Sequence, residues 1–179
     1  MYNSKDNNRN STKAKKLSLS GILLALTIIT LFVATIMPTN RLSLYALSSF
    51  FISIVVIEFG MKTGWVFYVS SCILSLIVVQ NKVELIPYII FFGVYGLAKS
   101  YIESLDKIVL EYILKMVLFN VCLFVSLFFI KEFFLSNFDI KFPLGAIIIL
   151  LQIVFVVYDY VYTLFIRYYD VKLRKMLRI

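Results

Sequence analysis

Residues Gly64 to Ala98 read GWVFYVSSCILSLIVVQNKVELIPYIIFFGVYGLA, and whether this stretch makes two crossings of a bilayer or one buried hairpin decides the fold. Its apolar runs, Gly64 to Val79 and Leu85 to Ala98, are parted by Asn81, Lys82 and Glu84. A helix needs roughly 20 apolar residues to cross the hydrocarbon, with about 17 to 25 tolerated. Each run is therefore marginal. Four other runs are clearer: Leu17 to Ile36, Leu42 to Phe59, Ile108 to Ile130 and Leu144 to Ile166. The chain makes either four crossings or six.

Charge favours six. Basic residues cluster at both ends: Lys5, Arg9, Lys13, Lys15 and Lys16 in front, and Arg167, Lys172, Arg174, Lys175 and Arg178 behind. Placing both ends in the cytoplasm requires an even number of spans, and six spans assign Lys62, Lys99 and Lys107 to inner loops as well. Outer connections then hold only Arg41, Lys82, Lys131 and Lys141. That is thirteen basic residues inside against four outside, with Lys115 left within a helix, in agreement with the positive-inside tendency. The expected fold is all-α: a polytopic six-transmembrane-helix bundle with N and C termini cytoplasmic.

Composition agrees with a membrane domain. Of 179 residues, 61% are hydrophobic and 16% charged, and the mean hydropathy of +0.93 lies outside the balance of soluble domains. A net charge of +8 would also suit a nucleic-acid binder, but both basic clusters abut hydrophobic spans, where topogenic charge beside anionic membrane lipid is the simpler reading. Residues 1–16, rich in Asn, Ser and Lys, read as a disordered basic tail. Residues 17–166 form the membrane domain, and 167–179 a basic cytoplasmic tail. The first apolar run is too long for a signal-peptide core and reads as a retained helix of a multi-pass cell-membrane protein.

Several chemistries lose their usual residues. There is no histidine, which removes the commonest ligand of haem and zinc sites, so no metal is expected. Cys72 and Cys122 lie inside apolar runs, where a disulfide framework is not expected. Gly60-Met61-Lys62-Thr63-Gly64 lacks the order of a phosphate-binding loop, and there is no G-x-S-x-G or H-E-x-x-H motif. No catalytic residue, cofactor or nucleic-acid partner is expected.

Polar groups inside the spans carry what functional signal there is. Glu111 and Lys115 are four residues apart and share a helix face. Asp159 lies on the last span. Counting from the cytoplasmic ends at roughly 1.5 Å per residue, Lys115 is about 12 Å deep and Asp159 about 10 Å. Charges at such depths turn inward and find partners. This predicts a Glu111, Lys115, Asp159 network, either an interhelical lock or a relay or lever. Asn120 and Gln152 on the same two spans could bond a ligand or bridge helices. Asn40, Arg41, Gln80, Asn81, Lys82 and Glu84 gather on the first and third outer connections near Tyr88, as a mouth for a small polar or anionic solute or as ordinary solvated loops. Pro87, Gly93 and Gly96 weaken the fourth span, marking either a ligand-facing element or close packing. Gly21 and Ala25 form a small-residue pair suited to close helix approach, internal or with a partner.

Three features resemble the substrate-binding S components of energy-coupling factor (ECF) transporters. They are the opening Lys16-Leu17-Ser18-Leu19-Ser20-Gly21-Ile22-Leu23-Leu24-Ala25-Leu26, the turn Phe59-Gly60-Met61-Lys62-Thr63-Gly64, and the six-span scheme with basic ends. The opening is similar to the family's small-residue first helix, which contacts a transmembrane coupling subunit, although Gly21 and Ala25 stand where the family has two alanines. The turn is similar to the F-G-x-K-x-G connection between spans two and three. Phe91-Phe92-Gly93-Val94-Tyr95-Gly96, followed by Lys99 and Glu103, is similar to a stretch in Firmicute membrane proteins related to this group.

The resemblance implies a non-enzymatic subunit that works with a coupling subunit and two ATPase subunits. It would bind a vitamin, a vitamin precursor or a metal ion in the outer half of the bundle. It further implies Asn40, Arg41, Asn81, Lys82 and Glu84 as ligand contacts and Gly21 and Ala25 as docking positions. The competing reading is a membrane scaffold resembling the rod-shape protein MreD, with cell-wall synthesis proteins as partners. An intramembrane enzyme using Asp159 and Glu111 is the third.

Overall fold

A computed structural model describes residues 4–105, 107–134 and 144–173. Among them the chain is helical throughout, without strands. Six helical segments are long and apolar enough to cross a membrane: Ala14–Ile36, Arg41–Phe59, Met61–Val78, Lys82–Glu103, Ile108–Ser126 and Ile148–Lys172. The marginal pair around Asn81 thus forms two helices, each long and apolar enough to cross.

The chain divides into two compact units, Met1–Leu85 and Ile86–Ile179. In the first, helix α1 (Ser4–Ile36) packs against α2 (Arg41–Phe59) and α3 (Met61–Val78), which also pack on each other. Helix α1 begins at Ser4, within the segment that composition assigns to a disordered tail. Once the apolar run supplies a nucleus, extension through Ala14, Lys15 and Lys16 adds one backbone hydrogen bond per residue fixed. Pro38 bars the helical region to the residue before it; Met37 sits at φ −108°, ψ 85°, and α1 stops at Ile36. Between α2 and α3, Gly60 adopts φ 84°, ψ 168°, a region essentially confined to glycine. The ammonium of Lys16 lies 5.6 Å from the centre of the Phe59 ring, so the basic start of α1 and this turn share one end of the unit.

Small hydroxyls line the buried faces of this unit. Thr27, Ser48, Ser49, Ser71 and Ser75 are buried, and each donates to a carbonyl three or four residues earlier on its own helix, at 2.6 to 3.0 Å. Their polarity is satisfied locally. Side chains this small leave room for close backbone approach.

The second unit completes the fourth span and adds α5 (Ile108–Phe134) and α6 (Leu144–Tyr168). The fourth span begins in the first unit as a 3-10 turn, Lys82–Leu85, passes Pro87, widens into a π turn at Tyr88–Phe92, and continues as α4 (Gly93–Glu103). Loosened backbone here is satisfied by protein: the Cys122 thiol on α5 donates to the Ile90 carbonyl at 3.4 Å. Gly93 and Gly96 are both buried. An aromatic core surrounds the π turn, with Phe119 and Phe155 stacked at 4.4 Å and Phe91 edge-on to both.

Further boundaries move. The fourth span was expected to end at Ala98 with Lys99 in an inner loop, whereas α4 runs to Glu103 and Lys99 is fully buried. A lysine closes a hydropathy window, but Tyr101 and Ile102 extend the helix beyond it. At the C-terminal end, helix persists through Tyr168 and a π turn, Tyr169–Leu173, into the segment read as a tail. Residues 174–179 and Lys141 lie outside the described residues, as do the side chains of Lys5, Arg9, Lys13 and Lys131.

Candidate functional site

Among the described residues, charged side chains of different helices pair at two places, one in each unit. In the first unit, the start of α2 meets the 3-10 turn after α3. Arg41 Nη2 donates to Glu84 Oε1 at 3.0 Å, and Asn81 Nδ2 donates to the same oxygen at 3.1 Å. The Tyr45 hydroxyl donates to the Glu84 carbonyl, tying α2 to the turn. Lys82 does not join this group. Its ammonium donates to the carbonyls of Leu76 and Val79, the latter at 2.7 Å, and so caps the last turn of α3. Asn40 is exposed and makes no side-chain cap to α2. Three of the expected mouth residues, Arg41, Asn81 and Glu84, therefore come together within one unit. Tyr88 is fully buried in the π turn of the other unit.

The Arg41–Glu84 pair is incompletely satisfied. Arg41 Nε and Glu84 Oε2 are buried and have no hydrogen-bond partner among the described residues. Their side chains are 34% and 17% exposed, so solvent reaches the rim of the pair although not these two atoms.

In the second unit, four charged side chains from three helices form a compact network. Lys99 on α4 donates to Asp159 Oδ1 on α6 at 2.5 Å and to Thr163 Oγ1 at 2.8 Å, and pairs with Glu103 Oε1 at 2.8 Å. Lys115 on α5 donates to the same Glu103 oxygen at 2.7 Å and lies 3.5 Å from Asp159. The Tyr95 hydroxyl donates to Asp159 Oδ1 at 2.5 Å. Two lysines face two carboxylates, so the group is neutral as a whole. Lys99 is wholly buried, and Lys115 and Asp159 nearly so.

Lys115 and Asp159 meet as expected, but Glu111 is not their third member. Glu103 takes that place from α4, while Glu111 stays in the first turn of α5, where a negative charge suits the helix N-terminus. Lys99, Glu103, Tyr95 and Thr163 were missed. Their signal was in the sequence: Tyr95, Lys99 and Glu103 recur every fourth residue, a stripe along one helix face.

Asn120 and Gln152 also meet, Gln152 Nε2 donating to Asn120 Oδ1 at 2.7 Å and Asn120 Nδ2 to the Met116 carbonyl at 2.8 Å. Asn120 is exposed in a shallow apolar groove on α5, beside Met116 and Val117. The amides thus bridge two helices. On α1, Gly21 and Ala25 are both exposed, and a Cβ built on Gly21 meets nothing within 4 Å. Among the described residues no three His, Cys, Asp or Glu side chains gather in a way that could hold a metal ion.

No family model matches the chain, and no curated protein or solved structure matches it either.

Proposed function

We propose that this chain is a solute-binding subunit of an ATP-driven uptake system in the cell membrane, similar to the S components of ECF transporters, with its termini in the cytosol. It binds a small molecule and performs no chemistry on it. The observation that carries the reading is the Arg41, Asn81 and Glu84 cluster, where two inter-helix connections of the first unit meet and a donor and an acceptor remain unpaired. Buried polar atoms without partners cost about 1–3 kcal/mol each, and a bound solute offsets that cost. The open face at Gly21 and Ala25 supports docking to a transmembrane coupling subunit, which would join two ATPase subunits.

The scaffold reading, a protein similar to MreD, draws support from the other unit. A neutral network with every charge paired fixes three helices into one surface and leaves no charge over for a ligand.

Affinity purification in mild detergent, with mass spectrometry of both protein and small-molecule fractions, separates the two. Solute binding predicts a co-purified small molecule together with paired ATPases and a coupling subunit. Recovery of morphogenetic proteins with no bound small molecule would refute it. Gly21→Leu and Ala25→Leu should abolish recovery of the coupling subunit while small-molecule retention stays within about twofold, a change under ~0.5 kcal/mol. Both positions are exposed, and a Cβ on Gly21 meets nothing within 4 Å.

A further inference from the structure

Helices α5 and α6 carry a pair of amides on an outward and otherwise apolar face. Asn120 is exposed and Gln152 half-buried. Asn120 lies about 18 Å along its span from Ile108, at roughly 1.5 Å per residue, well inside a hydrocarbon core of roughly 30 Å. Gln152 Nε2 donates to Asn120 Oδ1, and Asn120 Nδ2 to the Met116 carbonyl. A primary amide carries two N–H donors and an accepting oxygen. Each of the two therefore keeps an N–H, and among the described residues Gln152 Oε1 accepts nothing. Water would satisfy these groups on a soluble protein, whereas hydrocarbon leaves them bare.

The surface around the amides is shaped for another helix. Tyr112, Met116 and Asn120 form one ridge at four-residue spacing, Ile113, Val117 and Val121 form a second, and an open groove of about 470 Å³ lies along them. All but the half-buried Met116 are exposed. Ridges with this spacing fit between the same ridges of a second helix at a crossing angle of about −50°.

We infer that a second copy of this chain covers this face, with α5 crossing α5 and the amides of the two copies bonded to each other. An acyl chain could fill the groove, but it offers the amides neither donor nor acceptor. A helix of different sequence would need both at the same depth, and the copy brings both. About a two-fold axis, an N–H of each amide pair meets the Gln152 Oε1 of the other copy, and each groove receives the other's ridge. One patch then serves both sides, as an isologous interface requires. The inference does not depend on the solute-binding reading.

The test reconstitutes the full chain, carrying one fluorophore at its N-terminus, into large liposomes and counts bleaching steps over a series of falling protein-to-lipid ratios. The unsubstituted chain should show a dimer that dissociates on dilution. Asn120→Leu should raise the dissociation midpoint roughly tenfold, the worth of a polar contact between transmembrane helices. That variant also breaks the bridge to Gln152, so a second one leaves every hydrogen bond in place. Val117→Trp, at an exposed apolar position of the groove, should block the crossing and leave single-step bleaching, with the helical circular dichroism unchanged.

An unsubstituted chain that is monomeric at every density would overturn the inference, the groove then holding lipid only. A dimer that either variant leaves unchanged would overturn it too, because the contact then lies on another face or does without the amides. None of these outcomes bears on solute binding, which the co-purification experiment above decides separately.

Discussion

Replacing Asp159 with asparagine should cost far more than its loss of hydrogen bonds, because of what it leaves behind. Asp159 is 13% exposed at its side chain and receives Lys99 at 2.5 Å, Lys115 at 3.5 Å and the Tyr95 hydroxyl at 2.5 Å. In Asp159→Asn the two lysines share only Glu103, and one positive charge is uncompensated beside a lysine that is 0% exposed. Breaking a buried pair by removing one partner costs about 3–5 kcal/mol.

The diagnostic variant is Asp159→Asn combined with Lys115→Met, which restores neutrality with Lys99 on Glu103 at 2.8 Å. If uncompensated charge is the main penalty, the double variant recovers more than half of the loss. What remains is on the order of 1–2 kcal/mol, for weakened bonds from Lys99 and Tyr95. The assay is reversible unfolding in mixed micelles followed by helical circular dichroism, with both single variants to close the cycle. Additive losses across the cycle, or a single-variant loss below about 1 kcal/mol, would refute the view that these groups act as one electrically neutral unit.

Three further outcomes are expected. Glu111→Gln, which removes a charge outside the network, should change stability by less than about 1 kcal/mol in the same assay, so a loss as large as that of Asp159→Asn would return Glu111 to the network. Gly60→Ala should lose about 1–3 kcal/mol through backbone strain alone, since a Cβ there meets nothing within 4 Å at φ 84°; an unchanged midpoint would mean that the α2–α3 turn relaxes freely. In the purified protein Arg41→Lys, which removes the Nη2 bond to Glu84, should lower retention of the co-purified small molecule on the order of tenfold, as mass spectrometry would show.

Much of the architecture was legible because the bilayer imposes a simple length rule. The six apolar runs follow from it, and so does the division near Asn81, where α3 ends at Val78 and the fourth span opens with the 3-10 turn at Lys82. The meeting of Arg41 with Asn81 and Glu84 was legible too, since both connections were expected on one side. What escaped was the value of a charge in context. Lys99 was placed in a loop because hydropathy scores residues singly, and a lysine ends an apolar window even when Glu103 follows four residues later and Asp159 lies opposite. The same four-residue spacing that linked Glu111 to Lys115 also links Lys99 to Glu103, although in the less favourable base-before-acid order. Local spacing cannot choose between two such pairs; the packing of α4 against α5 does, by bringing Glu103 to within 2.7 Å of Lys115.

The two polar clusters differ in what it costs to open them, and that difference bears on where a solute could enter. Separating Lys99 or Lys115 from Asp159 and Glu103 would strand charge among residues that are nearly all buried, at several kcal/mol. A bound molecule would have to supply matching charge to both lysines or both carboxylates at once. The Arg41–Glu84 pair is partly exposed, at 34% and 17%, and ion pairs at such sites are worth about 0–1 kcal/mol. Two of its atoms lack a hydrogen-bond partner among the described residues, so exchanging partners there costs less than opening the network. The stiff network is suited to holding α4, α5 and α6 in register, and the loose pair to exchanging partners with a ligand. Solute exchange in the proposed function therefore belongs to the first unit, and the charged network of the second should tolerate no substitution that changes its net charge.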